Sequence, residues 1–468
     1  MQQETQQQFV YEKVIDHIRA LIAHGALAPG DRAPSLRKLS RQLGVSITTV
    51  NQAYRHLESA GLLEARPQSG FYVTSLAASS PEPPAKSTPN SKPREIRFAQ
   101  LYNEVFSQAN DPQMVPLGAA KPSMMLMPSK ALTRSYRAIA GRLEYKGIDY
   151  CFPPGLDNLR RQLAKRYARA GLDVPEEEII ITSGATEAIA LSLQTVATRG
   201  DIIAVESPVY FSVLRLLERM GLRILEVDTD PETGICLEAL EGVLDTMDVK
   251  AMLLVPNFNN PTGSLMPDSR KQQLIGMLAG RKIPIIEDDI YGDLHFSEER
   301  PSQIRDFDHT GNVITCSSFS KTLAPGYRIG WIIASNWFED LLEWKQAMSS
   351  ATATIPQYVV ADFLRSGDYD RHLVRLRKAY REQVEKMRFM IGHAFPPGTR
   401  VTDPAGGFVL WVQLPGRVDS LALFNLAIRE KISITPGLLF SSTRKYRDFI
   451  RINCGFPWSD EIEQAVLR

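Results

Sequence analysis

Two kinds of apolar pattern divide this chain. Through residue 75 the apolar positions recur at helical spacing, and beyond residue 95 they gather into short continuous runs. Phe9, Val14, Ile18, Leu21 and Ile22 predict a helix over 9–23, closed by Gly25, Pro29 and Gly30. A second helix is expected in "PSLRKLSRQLG", with Ser35 as its cap, Leu36, Leu39 and Leu43 on one face, and Gly44 as its stop. Ser46 then caps a third helix. Its Val50, Ala53, Tyr54 and Leu57 face inward, which leaves Thr48, Thr49, Asn51, Gln52 and Arg55 outward. "LLEARPQSGFYV", residues 62–73, predicts a hairpin with Pro67, Ser69 and Gly70 at its turn.

Farther on, "EIIIT" precedes "TEAIALSLQTVA", "DIIAVE" precedes "FSVLRLLERM", and "AMLLVP" precedes "DSRKQQLIGMLA". "IPIIED" and "NVITC" follow. Continuous apolar strands alternating with amphipathic helices predict a mostly parallel sheet covered on both faces. Between the two patterns lies "LAASSPEPPAKSTPNSKPR", residues 76–94, which has five prolines and almost nothing to bury. It reads as an extended linker; at about 3.1 Å per residue it spans up to ~60 Å.

Composition narrows the function classes. With 54 basic and 53 acidic residues among 468, the net charge of +1 provides no global field for nucleic acid or membrane, so DNA binding has to rest on a local surface. Cys151, Cys236, Cys316 and Cys454 are far apart, which argues against a disulfide framework or zinc ribbon and fits a reducing cytoplasm. The histidines form no metal-ligand spacing. The amino terminus lacks a signal-like segment and no apolar run reaches the ~20 residues a membrane span needs. A soluble, unexported, cytoplasmic protein is expected.

The candidate chemistry lies in the polar residues that follow each predicted strand, where open α/β sheets bind ligands. "SGATEAI" enters a helix whose amides at Ala185 and Thr186 suit an anion. Tyr210 follows the next strand and is placed to stack on a planar ring, and Asn260 precedes a Pro-Thr-Gly turn. Asp288 and Tyr291 follow another strand; Ser318, Ser320, Lys321 and Arg328 follow the last. Together these match the needs of pyridoxal 5'-phosphate. Lys321 would carry the aldehyde and later shuttle a proton, and Asp288 would keep the pyridine nitrogen protonated. Asn260 and Tyr291 would hold the ring oxygen, while Ser318, Ser320 and Arg328 would join the helix amides on the phosphate. Taken singly, each has a plainer reading, Lys321 as a solvated charge and Asp288 as a helix cap.

Two resemblances extend these readings. "PGDRAPSLRKLSRQLGVSITTVNQAYRHLESAGLL" followed by "PQSGFYV" resembles the winged helix-turn-helix of GntR-type bacterial regulators. It implies that Arg37, Thr48, Thr49 and Asn51, with the wing around Gly70, meet double-stranded operator DNA; Ser46 is counted with them, and the hairpin places Arg66 to reach an adjacent minor groove. Without the resemblance, a helical protein-interaction module remains open. Ile47 stands where the family usually has arginine, so base preference should depart from the family norm. "NNPTG", "EDDIY" and "SFSKTLAPGYRIGW" resemble fold-type-I aminotransferases, especially the aminoadipate and kynurenine subgroup. That resemblance implies an α-carboxylate clamp at Arg451, substrate contact near Gly118, a homodimer, and Tyr150 lent to the neighbour's phosphate site. "GAAK" at 118–121 departs from the family's usual second glycine or Gly-x-Pro.

The expected fold is therefore multidomain: an all-α winged helix-turn-helix over 1–75, a linker over 76–95, and an α/β aminotransferase-like, pyridoxal-phosphate-binding body over 96–468. Within that body, a large parallel-sheet part spans about 141–350, and a smaller α+β part combines about 96–140 with 351–468. Over its whole length the chain resembles the MocR group of transcription regulators. The expected function is a DNA-binding regulator that senses pyridoxal phosphate or an amino compound. An active aminotransferase with a secondary DNA-binding domain is the alternative, and an inert scaffold is the third.

Overall fold

The computed structural model describes residues 2–468 apart from 25, 60, 67–68, 75–80, 88–98, 109–110 and 417. Gly25 and Pro67, expected at a helix end and a hairpin turn, and most of the expected linker lie outside the described residues. The chain forms two compact units, one of residues 1–82, 384–399 and 463–468 and the other of 83–383 and 400–462.

The first unit holds α1 (Gln2–Ala23), α2 (Leu36–Leu43), α3 (Ile47–Ser59) and a hairpin of β1 (Leu63–Arg66) and β2 (Gly70–Val73). Ser35 caps α2 by accepting from the Lys38 N–H at 3.3 Å, and Gly44 ends it at φ 66°, a left-handed turn that suits glycine. Val14, Ile18, Leu39, Val50, Ala53, Tyr54 and Leu57 make one core. The Tyr54 hydroxyl, buried among them, donates to the Pro34 carbonyl at 2.7 Å. A core this small depends on each such polar tip finding a partner.

The second unit has β3 (Val115–Pro116) as its first strand, after a helix at Ala99–Gln108. Its central sheet contains β4 (Ile179–Thr182), β5 (Ile202–Ser207), β6 (Arg223–Asp230), β7 (Gly234–Ile235), β8 (Val249–Leu254), β9 (Ile285–Asp288), β10 (Val313–Ser318) and β11 (Gly330–Ile333). Their spatial order is 4-11-10-9-8-5-6-7. Pairs 10-9, 9-8, 8-5 and 5-6 are parallel; β11 and the short β7 run antiparallel to their neighbours. Parallel strands require helical crossovers, and those helices bury both faces of the sheet, so β4 and β10 have no exposed position. A smaller antiparallel sheet joins β12 (Arg400–Val401), β13 (Val409–Gln413), β15 (Thr435–Pro436) and β16 (Phe449–Asn453), while β14 (Ile432–Ser433) pairs with β3. Central β16 carries Arg451 beside Trp411 and Thr435.

Candidate functional site

The carboxyl ends of β4, β5, β8, β9 and β10 converge on a cavity of about 180 Å³. Ala185, Thr186, Tyr210, Asn260, Asp288, Tyr291, Ser318, Ser320, Lys321 and Arg328 all line it. The topology explains the convergence, because parallel strands deliver all their carboxyl-terminal loops to one edge.

At one end sits an anion cradle. The helix Ala185–Val196 begins after Gly184, which makes no side-chain cap, so its first amides stay open toward the cavity. Arg328 reaches in from the opposite loop, donating to the Ser183 carbonyl at 2.8 Å and to Ser320 Oγ at 3.4 Å. Gly184 has φ 95°, and a Cβ there would come within 2.5 Å of Arg328 Nη2. Two glycines that sequence reasoning missed, Gly184 and Gly330, are needed for this approach: a Cβ on Gly330 would strike the Gly184 backbone at 2.6 Å.

At the other end, burial dominates the electrostatics. Asp288 accepts the Ile290 N–H at 3.2 Å. Burial, aided by the neighbouring Asp289 charge, pushes its carboxyl up to about 7. Lys321 Nζ donates to the Ala120 carbonyl at 2.7 Å. Burial and the nearby Arg451 cation bring its ammonium down to about 8, against the opposing pull of Asp288. A lysine partly deprotonated near neutrality is a competent nucleophile. Asn260 Nδ2 donates to the Tyr291 hydroxyl at 3.3 Å, and burial pushes that phenol above its ordinary range.

Arg451 is fully buried. Its Nη1 donates to Asn260 Oδ1 at 3.0 Å, and its Nη2 donates to the Gly118 carbonyl at 2.7 Å and to Thr435 Oγ1 at 3.2 Å. Its Nε has no partner among the described residues. The guanidinium also lies 5.2 Å from the Phe440 ring centroid. A Cβ on Gly118 would collide with Ser433 Oγ and approach the Ile434 backbone at 3.1 Å. Thr435, Ala120 and Glu206 were not singled out from the sequence. Glu206 lines the cavity and accepts from the Val255 N–H at 2.7 Å and from Asn259 Nδ2 at 2.8 Å, with burial pushing it up to about 8. The identity of its neighbour in "NNPTG" was the one available signal.

Tyr150 lies outside this cavity, 71% exposed and stacked on Phe152. Among the described residues no cluster of histidine, cysteine or carboxylate is arranged for a metal, and all four cysteines are unpaired. No described helix is long and apolar enough to cross a membrane.

On the first unit, Arg37, Ser46, Thr48, Asn51, Gln52 and Arg55 are exposed as expected. Thr49 is not. It is 4% exposed, its hydroxyl contacts Ser46 Oγ at 2.7 Å, and its N–H donates to the same oxygen at 3.0 Å. The helix start turns Thr49 toward the cap and the core, one position off the outward face. Arg66 extends from the hairpin, bonded to Glu64 and lying 4.3 Å from the Tyr72 ring centroid; Gly70 takes φ 107° where β2 begins.

Residues 10–73 match the family of bacterial regulatory proteins, gntR family, and 129–467 match aminotransferase class I and II. An uncharacterized HTH-type transcriptional regulator, YjiR of Escherichia coli K12, is 37% identical over 97% of both chains. This chain belongs to the HTH-type transcriptional regulators that carry an aminotransferase domain. Another relative, the HTH-type transcriptional regulator NorG of Staphylococcus aureus USA300, is 29% identical, covering 93% of this chain and 98% of its own. Among solved structures, Pyrococcus horikoshii kynurenine aminotransferase has 27% identity and a TM-score of 0.74, over 79% of the regulator and 93% of its own chain. LysN, the α-aminoadipate aminotransferase of Thermus thermophilus, has 27% identity and a TM-score of 0.72 over the same shares. The regulator is thus a DNA-binding transcription factor whose body has the aminotransferase fold-type-I architecture.

Proposed function

We propose that this regulator holds pyridoxal 5'-phosphate at Lys321 and that the cofactor, or an amino compound exchanged onto it, sets its affinity for double-stranded operator DNA. The observation that carries the reading is the convergence of Lys321, Asp288, Asn260, Tyr291 and the Arg328 cradle on one cavity, in a chain that also carries a gntR-type reader. The residues fit the group by their donor chemistry. The open amides of Ala185 and Thr186, with Ser318, Ser320 and Arg328, match a phosphate, and Asp288 retains acceptor capacity for a ring nitrogen. Tyr210 would cover one ring face.

When bound, pyridoxal phosphate supplies an electron sink for chemistry at the α carbon of an amino compound. Lys321 Nζ would be the amine that holds the cofactor and a base at its side. Asn260 joins Tyr291 to Arg451, donating to the first and accepting from the second. Arg451, held by the Gly118 carbonyl and Thr435, would orient an effector carboxylate. Arg37, Ser46, Thr48 and Asn51, with Arg66 and Gly70 on the wing, are proposed to face operator DNA, with Ile47 offering apolar contact in place of a base-reading cation.

Met125 (83% exposed), Ile148 (89%), Tyr150 and Phe152 (63%) are large apolar side chains left exposed on the second unit, Tyr150 stacked on Phe152, which supports a homodimer in which Tyr150 serves the neighbouring cavity. Such an assembly would work on DNA in the cytoplasm. The intact Arg451–Asn260–Tyr291 series favours a second reading, transamination as an additional activity.

The test is DNA binding by the full chain, loaded or unloaded with pyridoxal phosphate, beside Lys321→Ala, using fragments from upstream of its own gene. A specific fragment whose affinity changes with loading in wild type but not in the variant supports the sensor. Rapid turnover of amino acids combined with sequence-blind DNA binding supports the enzyme reading instead.

A further inference from the structure

Part of the proline-rich stretch is built into the second unit. The Ser87 hydroxyl lies 3.0 Å from the Ser207 carbonyl and 3.2 Å from Asp228 Oδ1, and it accepts from the Thr229 N–H at 3.0 Å. The Ser87 N–H donates to the Thr229 carbonyl at 3.4 Å. Lys86 Nζ pairs with Asp230 at 2.9 Å, and Pro84 is buried. Lys86 itself is fully solvated, so that pair adds little, and the Ser87 bonds with the Pro84 packing define the docking. Burial pushes the Asp228 carboxyl up, and Ser87 partly offsets it.

The docking site leads to the cavity. Ser207 Oγ donates to Glu226 Oε2 at 2.6 Å and lies 3.0 Å from the Tyr446 hydroxyl. Two residues on, the Val209 N–H donates to the Phe440 carbonyl at 2.9 Å, and Tyr210, which lines the cavity, comes next. Phe440 in turn packs beside the Arg451 guanidinium. A ligand that presses on Tyr210 or Phe440 therefore acts on the segment that receives Ser87.

We propose that Pro83–Ser87 is an anchor for the interdomain stretch and that its docking on Ser207 and Asp228–Asp230 tightens or loosens with what fills the Lys321 cavity. This rests on the sensor reading above. Eight residues, 75–82, separate Thr74 from Pro83, so an engaged anchor leaves a tether of ~25 Å at about 3.1 Å per residue, against the ~60 Å of a free linker. Release of the anchor changes how far the reader can range from the body, the property a regulator needs to control how paired readers meet DNA.

The test is amide hydrogen exchange of the full chain at residues 85–87 and at Thr229, with and without pyridoxal 5'-phosphate, in wild type, Ser87→Ala and Lys86→Glu. Loading at Lys321 is followed independently by visible absorbance and by mass after borohydride reduction. Loading is expected to change exchange at these amides about tenfold in wild type, within the range of ordinary coupling between sites. Ser87→Ala should load equally and lose the change. Failure to load Lys321 at all sinks the sensor reading. Loading without a change at these amides sinks the coupling alone, and free-chain exchange rates in both states sink the anchor.

Discussion

Arg451 Nη1 donates to Asn260 Oδ1 at 3.0 Å, so the cation proposed to clamp a carboxylate and the amide proposed to hold a ring oxygen form one continuous hydrogen-bonded unit.

Arg451→Lys follows from that link. Lysine retains the charge but loses the fork that spans Asn260, Gly118 and Thr435. Cofactor loading should stay near wild type, while affinity for an amino acid falls ~10- to 100-fold, the loss of about one or two charged hydrogen bonds. Titration of the loaded protein with amino acids, followed by absorbance, measures it. Equal affinity in the variant would remove Arg451 from effector binding.

Asp288 predicts an effect of pH on the unloaded protein. Its carboxyl is raised from 3.8 to about 7, so the folded protein keeps a proton that the unfolded chain has already released. Stability from this group is therefore full below 3.8 and is lost as pH rises through about 7. Unloaded Asp288→Asn should be more stable than unloaded wild type at pH 8, by an amount on the order of a few kcal/mol, and match it near pH 4. With pyridoxal phosphate the order should reverse, since only the carboxylate can hold a protonated ring nitrogen.

Lys321, brought down to about 8, predicts the pH dependence of loading. The rate of cofactor attachment should rise about tenfold per pH unit below that value and level off above it, as the free amine becomes the major form. A profile still climbing at pH 10 would mean an ordinary solvated lysine.

Gly184→Ala tests the anion cradle. The new Cβ meets Arg328 Nη2 in a backbone conformation that L residues rarely adopt, at φ 95°. We expect a stability loss of about 1–3 kcal/mol and weaker retention of pyridoxal phosphate during dialysis.

Thr49 and Asn51 should separate structure from recognition. Thr49→Val removes a buried hydroxyl from Ser46 and should lower the stability of the first unit by about 1 kcal/mol without changing base preference. Asn51→Ala, at an exposed position on α3, should leave stability unchanged and weaken operator binding ~5- to 100-fold. Melting curves and a binding series over mutated operators distinguish the two.

The sequence by itself determined what is local or periodic. Helical spacing placed α1–α3, continuous apolar runs placed the parallel sheet, and the rule that such sheets bind ligands at their carboxyl ends gathered Lys321, Asp288, Asn260, Tyr210 and Arg328 before any contact was known. Tertiary structure decided whatever depends on two distant segments meeting. Thr49 turned inward because Ser46 Oγ bonds both its N–H and its hydroxyl, a one-residue phase that periodicity does not resolve. Gly184 and Gly330 became necessary where two segments approach closer than a Cβ allows, and Arg451 acquired Gly118 and Thr435 as acceptors from segments far apart in sequence. Pro84, Lys86 and Ser87 read as solvated linker because composition reports the cost of burial, not the presence of a matching surface; Ser207, Asp228 and Thr229, more than a hundred residues later, provide one.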